Sequence, residues 1–320
     1  MKTKYENALK DKMHFSLEKL YKKDPELLAS IMNGYQDQES SAQKQKDRFI
    51  IGCQGVPGAF SEEALTEYFK GETYETIYSS SFEGVLKNLE EDKVDYGILP
   101  IENSSAGSIV DVYDLIRKYK CSIVGEKVLS ITHNLLGLPG AKIEDITEVY
   151  SHPQGFSQSS TFLNQHEDWQ LIPYHNTAIS AQYVRDSNEK HKGAIASMRA
   201  AKLYGLEPIK QNINFNTNNY TRFIIVKKDM VFDELANKVS LIFSVAHESG
   251  SLYHALAHFY YNGLSLLKIE SRPIHDRSWE YFFFVDLEGN LQDANLLIAL
   301  GRILDQSAYF ELLGNYKADK

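Results

Sequence analysis

A change of pattern at Arg48 constrains this chain more than any other feature. From there to Asp229, short apolar runs alternate with segments of helical periodicity, at 49–53, 61–69, 75–78 and 81–91 in turn. Runs too short for helices, repeated in this alternation, read as buried strands joined by helices, so an α/β domain is expected over 48–229. Further strands are expected at 96–101, 121–131, 148–151, 193–196 and 222–227. In such a domain the functional groups sit in loops at strand ends.

A second change follows Asp229. A strand at 239–246, a helix at 251–261 and an Asn262-Gly263 turn precede strands at 266–270 and 281–287, a helix at 293–304 and a last strand at 308–313. That order is βαββαβ, a ferredoxin-like module, expected over 238–317. Residues 1–47 are rich in Lys, Glu, Gln and Ser. Their one apolar-periodic piece, 15–32, is broken near Pro25, and 36–47 is almost wholly polar. A helical segment and a linker are expected there, because a polar stretch buries too little surface to offset its ordering entropy.

The net charge of -9 argues against a nucleic-acid or anionic-membrane partner, which normally requires a basic surplus. No run approaches the length of a membrane span, and residues 1–12 are charged where a signal peptide would be apolar, so a cytoplasmic protein is expected. Cys53 and Cys121, the two cysteines, cannot build a disulfide framework or a cysteine metal cluster. His254 and His258 are four apart with His247 upstream, but no nearby cysteine or acidic pair completes a coordination set, so no metal is expected.

Five loop motifs in the middle domain put small hydroxyl and amide residues where strands meet helices. They are Gln54-Gly55-Val56-Pro57-Gly58-Ala59-Phe60-Ser61, Pro100-Ile101-Glu102-Asn103-Ser104-Ser105-Ala106-Gly107, Ser151-His152-Pro153-Gln154, Asn176-Thr177-Ala178 and Ala196-Ser197. Free N–H groups at a helix start hold carboxylates without a lysine. Each motif alone reads equally as a plain helix cap; the constellation points to a small anion. Gly52, Gly55 and Gly58 do not follow the G-x-G-x-x-G spacing, so no dinucleotide cofactor is expected. A sixth motif, Asn219-Tyr220-Thr221-Arg222-Phe223, presents a hydroxyl, a fixed positive charge and an aromatic ring together. Arginine pairs bidentately with carboxylates, and threonine can donate to a departing hydroxyl.

In this order the motifs resemble the prephenate dehydratase family. The resemblance implies a two-lobed catalytic domain similar to periplasmic-binding-protein folds, prephenate in the cleft and no cofactor. It also implies loss of carbon dioxide and the ring hydroxyl to give phenylpyruvate, on the route to phenylalanine. It assigns the acid to Thr221, treated as an oriented donor. Glu102 is an alternative acid if a dry cleft raises its pKa, and Arg222 is a carboxylate contact or an anchor beside one. The expected substrate-binding set is Ser61, Asn103, Ser104, Gly107, His152, Gln154, Thr177, Ser197, Asn219 and Phe223. For His152 the residue-level reading stays open between a structural hydrogen bond and a contact.

The C-terminal module resembles an ACT domain, which implies L-phenylalanine as an effector bound across a subunit interface of a homodimer or homotetramer. The matching residues are Glu270-Ser271-Arg272-Pro273 and the loop Gly250-Ser251-Leu252-Tyr253. That loop departs from the family's Gly-Ala-Leu-Val at Ser251 and Tyr253. Bifunctional relatives carry an arginine-rich chorismate mutase ahead of the dehydratase. Here no arginine precedes Arg48, so residues 1–47 are expected to be a remnant or a docking segment without mutase activity. Arogenate dehydratase and a noncatalytic sensor of the same fold stay open as alternatives.

Overall fold

The computed structural model describes residues 48–275 and 277–319, so the segment and linker expected at 1–47 lie outside the described residues. In chain order the elements begin with β1 (Phe49–Gln54), α1 (Phe60–Tyr68), β2 (Tyr74–Ser79), α2 (Phe82–Glu90), β3 (Tyr96–Asn103), β4 (Gly107–Ser108), α3 (Val110–Tyr119) and β5 (Ser122–Ser130). They continue with β6 (Asn134–Gly137), β7 (Glu148–Ser151), α4 (Pro153–Gln158), α5 (Ser160–Leu163), β8 (Gln170–Pro173), α6 (Thr177–Ser187), β9 (Lys192–Ala196), α7 (Met198–Tyr204), β10 (Glu207–Lys210) and β11 (Tyr220–Lys227). The last six are β12 (Lys238–Ser244), α8 (Ser251–Tyr261), β13 (Leu266–Pro273), β14 (Tyr281–Glu288), α9 (Ala294–Gln306) and β15 (Tyr309–Tyr316), in the expected βαββαβ order.

Two compact units result. One contains Arg48–Val112 and Lys127–Ile224; the other contains Tyr113–Glu126 and the chain from Ile225 onward. One sheet runs β2-β1-β3-β11-β5 with β4 on β3, a second runs β10-β6-β9-β7-β8, and a third runs β13-β14-β12-β15. β1 pairs in parallel with β2 and β3, and β7 with β8 and β9, as helix crossovers require. The third sheet is antiparallel throughout.

Local chemistry fixes the helix ends that matter for the first unit. Ser81 caps α2 by accepting from Gly84 N–H, Asn176 caps α6 by accepting from Ile179 N–H, and Ser197 caps α7 by accepting from Ala200 N–H. α6 and α7 each stop on a left-handed residue, Asn188 and Gly205. The buried face of α2 is Val85, Leu86 and Leu89, an i, i+1, i+4 stripe.

β6, β8 and β10 carry no expectation from the sequence. Each is four residues long, too short for periodicity to separate strand from loop, and Pro173 in β8 and Pro208 in β10 argue against a strand. β13 is longer than expected: Ser271, Arg272 and Pro273 continue the strand past Glu270, opposite Phe283, Phe282 and Tyr281.

In the second unit β12 is buried along its whole length. At its start the buried Lys238 ammonium meets buried Glu126 at 2.6 Å, since a charge in such a place requires a partner. The core around Val239, Leu241 and Phe243 is closed by α9 through Leu296, Leu300 and Ile303. The end of α3 joins the same unit, with Tyr113 edge-on to Phe284 at 4.9 Å and Arg117 over the Phe282 ring at 4.6 Å. β15 approaches the backbone of Ile123 so closely that a Cβ at Gly314 would lie 2.0 Å from the Ile123 carbonyl oxygen. Backbone cannot yield as a side chain does. Gly314→Ala is therefore expected to cost about 1–3 kcal/mol or more, read as a lower midpoint in thermal or urea unfolding.

Candidate active site

A cavity of about 330 Å³ lies in the first unit, bordered by residues that follow or end strands of its two sheets. α1, α4 and α6 all begin at its wall, contributing Phe60 and Ser61, Gln154, and Thr177. At α1 and α6 the first-turn N–H groups and helix dipoles make this wall favourable to anions, whereas the first N–H groups of α4 are taken up by His152 and only its Gln154 side chain is offered. Among the described residues that line the cavity there is no Lys, Arg, Asp or Glu; the titratable side chains are His133, His152 and His175. An anion held here is held by neutral donors.

The loop that leads into α1 needs glycine twice, at Gly55 (φ +111) and Gly58 (φ +86), both in the left-handed region. Glu62 fixes its shape. The carboxylate accepts the Gly58 N–H at 2.8 Å, the Tyr78 hydroxyl, and the Arg199 Nε–H at 3.1 Å. Burial would raise the Glu62 pKa, but these hydrogen bonds and the Arg199 charge together outweigh it and hold the carboxyl below its ordinary value. Tyr204 adds a bond from its hydroxyl to the Pro57 carbonyl at 2.7 Å.

Beside the cavity runs a chain of buried amides, Asn103, Asn219 and Gln158. Asn103 Oδ1 accepts the backbone N–H groups of Ser105 (3.0 Å) and Ala106 (2.9 Å), which fixes its Nδ2 as the outward end. That NH2 donates among three oxygens, Asn219 Oδ1 at 2.8 Å, Thr221 Oγ1 at 2.9 Å and the Tyr220 carbonyl at 3.1 Å. Asn219 Nδ2 then donates to Gln158 Oε1 at 3.1 Å, and His133 Nε2 stands 2.8 Å from the same oxygen. Because an amide NH2 only donates, the Thr221 oxygen is an acceptor here and its own hydrogen is left to donate elsewhere. Thr221 is buried and borders the cavity.

Of the residues expected at the site, the cavity brings together Ser61, Asn103, Gly107, His152, Gln154, Thr177, Thr221 and Phe223. His152 also caps α4, accepting from Gln154 N–H at 3.2 Å, and burial lowers its pKa. Five others lie off the cavity wall. Along β11, Thr221 and Phe223 face the cavity and Arg222 between them faces the other way, as strand alternation dictates. Its guanidinium is 3.5 Å from Glu102, so Glu102 and Arg222 meet each other away from the cavity. Ser104 ties β3 to the 218–220 segment, donating to the Asn218 carbonyl and accepting from Tyr220 N–H. Ser197 serves as the α7 cap, and Asn219 is an interior member of the amide chain.

His133, Gln158, His175, Phe82 and Ile131 border the cavity without having been singled out in the sequence. His133 follows the end of β5, where a strand-end polar residue is a usable signal; Gln158, inside a helix, gives none. In the second unit a separate cavity of about 130 Å³ is lined by His247, Glu248, Ser251, Leu252, Trp279 and Tyr281, among others. Gly250 opens α8 with φ +83, Tyr253 is exposed, and Arg272 pairs with Asp114 at 2.6 Å. Glu270, Ser271, Arg272 and Pro273 are strand residues outside that cavity's lining.

The model of the family described as prephenate dehydratase matches residues 51–231. The chain is 38% identical to arogenate dehydratase/prephenate dehydratase 1 of Arabidopsis thaliana, a chloroplastic protein, over 84% of this chain and 72% of that one. Among solved structures it superposes with TM-score 0.77 and 29% identity on GqqA, described as a novel type of quorum quenching acylase, covering 84% of this chain and 98% of that one. The prephenate dehydratase of Arthrobacter aurescens in complex with L-Phe gives TM-score 0.76 and 27% identity, over 84% and 90%.

The depressed Glu62 carboxyl has a signed consequence. A group whose folded pKa is lowered contributes stability above its unfolded value and loses it as pH falls through the folded one. Glu62→Gln is expected to destabilise by about 1–3 kcal/mol at pH 7. The gap from wild type should shrink as the medium falls below about pH 4, read from urea midpoints at the two conditions.

Proposed function

This chain belongs to the prephenate dehydratase family, and on that premise we propose that it converts prephenate to phenylpyruvate, carbon dioxide and water, a carbon–oxygen lyase reaction leading to phenylalanine. The observation that carries this reading is the direction of the Asn103–Thr221 hydrogen bond, which leaves the Thr221 hydroxyl as a donor at the cavity wall.

The chemistry asks for little else. As the ring carboxylate departs, the electron pair of its C–C bond enters the ring, the C–O bond at the opposite carbon breaks toward oxygen, and that oxygen takes one proton to leave as water. One proton is consumed per turnover. Thr221 donates to the departing oxygen and is replenished through a relay, because a threonine hydroxyl is a weak acid in its own right. A cation against the departing carboxylate would stabilise the ground state more than the transition state, in which that charge is dispersing. A lining without Lys or Arg among its described residues supports this reading. Ser61, Gln154 and Thr177, at helix starts, orient the second carboxylate. Glu102 serves Arg222 and not the substrate, and the pair braces the strand that carries Thr221.

The same reading assigns 48–229 to a two-lobed catalytic domain and 238–317 to an ACT module, with L-phenylalanine as effector and a homodimer or homotetramer as the assembly. The L-Phe complex of the Arthrobacter relative supports the effector. No helix among the described residues is long and apolar enough to cross a membrane, in keeping with a cytoplasmic location. Arogenate, which bears an amino group, is the alternative substrate favoured by the name of the Arabidopsis relative. Neither cysteine is a candidate nucleophile in this chain: burial pushes the Cys53 and Cys121 thiols up to about 12.

Phenylpyruvate release from prephenate, with arogenate assayed alongside, tests the reading. Wild type is expected to prefer prephenate. Thr221→Ala is expected to lower kcat by roughly 100- to 10,000-fold while Thr221→Ser keeps most of it; near-normal kcat in the alanine variant removes Thr221 from the mechanism. Glu102→Gln is expected to leave the shape of the pH–rate profile unchanged, and a lost acid limb would restore Glu102 as the acid.

A further inference from the structure

We propose that His133 is a second substrate-contacting group, an uncharged imidazole whose Nδ1 accepts the hydrogen of the departing ring hydroxyl. This rests on the dehydratase reading above. The tautomer follows from the amide chain. Its direction is set by the Ser105 and Ala106 N–H groups on Asn103 Oδ1, and each later amide is locked by the one before. Gln158 Oε1 therefore receives the Asn219 Nδ2–H. Being only an acceptor, it must also receive a hydrogen from His133 Nε2 at 2.8 Å.

With that hydrogen on Nε2, the neutral ring carries a lone pair at Nδ1. Burial lowers the imidazole pKa against the opposing Gln158 hydrogen bond, so the ring stays neutral near pH 7. The residue is 3% exposed and is among those that line the cavity, its ring meets Phe60 edge to face at 5.8 Å, and Nδ1 is buried with no protein hydrogen-bond partner. Its backbone is pinned on both sides, by N–H donation to Asn214 Oδ1 at 2.6 Å and by acceptance from Ile213 N–H at 2.9 Å.

A buried acceptor without a donor is unfavourable until a water or a ligand supplies one. The cavity wall also offers hydroxyls, helix-start N–H groups, the amides of Gln54, Gln154 and Asn176 and the rings of His152 and His175. Prephenate carries two carboxylates and a ketone, all acceptors, and a single donor near neutral pH: the hydroxyl that leaves. That hydroxyl is the natural partner of the His133 lone pair. Held between Thr221 and His133, it receives the Thr221 hydrogen on its oxygen while its own hydrogen is directed at Nδ1. No proton passes to His133; both hydrogens depart with the oxygen as water. The polarised O–H bond makes the oxygen a better base at the moment it must accept a proton.

Two substitutions separate the two ring nitrogens. His133→Asn keeps an amide oxygen near the Nδ1 position and loses the reach to Gln158. His133→Gln keeps a donor to Gln158 and loses the acceptor. The expected result is a fall in kcat/KM for prephenate of roughly 10- to 100-fold in the Gln variant and a much smaller fall in the Asn variant, with cooperative unfolding retained in both. The reverse order, or equal losses, overturns the proposal and makes the ring a prop for Gln158. If either variant fails to fold, wild-type protein labelled with ¹⁵N-histidine decides it. The His133 Nδ1 resonance is expected at the position of an unprotonated nitrogen and to move upfield when a saturated-ring analogue of prephenate that retains the hydroxyl is added; no movement overturns the proposal. A wild type that does not turn over prephenate defeats the dehydratase reading itself, whereas the Asn–Gln order in an active enzyme decides His133 alone.

Discussion

Two backbone N–H groups, those of Ser105 and Ala106, hold the carbonyl end of the Asn103 amide, and that side chain cannot be turned round without orphaning both. Everything along the cavity wall inherits its direction from this. Asn219, Gln158 and His133 are locked in sequence on one side, and on the other the Thr221 oxygen is obliged to accept. A buried polar network of this kind is costly when any member is unmatched and rigid when all are matched. The rigidity is useful, because a weak acid such as threonine contributes only if its one hydrogen is already aimed.

The electrostatics of the cavity are consistent with the reaction. Neutral donors at the starts of α1, α4 and α6 hold a carboxylate without neutralising it. Charged residues nearby are directed to one another: Glu62 to Arg199, Arg222 to Glu102. These pairs set the backbone that presents the donors. Removing the polar partner of a loop such as Gln54 to Ser61 would loosen the donors even though the cavity lining stayed the same.

Much of this was legible in the sequence because it rests on local chemistry. The alternation after Arg48 gave the strands of the first sheet, and Ser61, Gln154, Thr177 and Thr221 stand where strand-end and helix-start motifs put them. The βαββαβ order of the C-terminal unit followed from apolar periodicity alone. What escaped was set by tertiary context. The face on which Arg222 lies is a matter of strand parity against a neighbour whose register is not written locally, so a reading of Thr-Arg-Phe as one presented group joined residues that point apart. Gln158 and His133 are 25 residues apart, and only folding makes them partners. The edge strands β8 and β10 are four residues each and both contain a proline, so they read as loops.

The central claim is that Asn103 makes Thr221 a donor, and a double-mutant cycle on these two residues tests it most directly. Asn103→Asp exchanges the donating NH2 for a second oxygen of nearly the same size, toward which the Thr221 hydroxyl would turn. With the fold checked separately, kcat for prephenate should fall in Asn103→Asp nearly as far as in Thr221→Ala, and the double variant should be little worse than either. Losses that multiply in the double variant, or near-normal turnover in Asn103→Asp, would contradict the account.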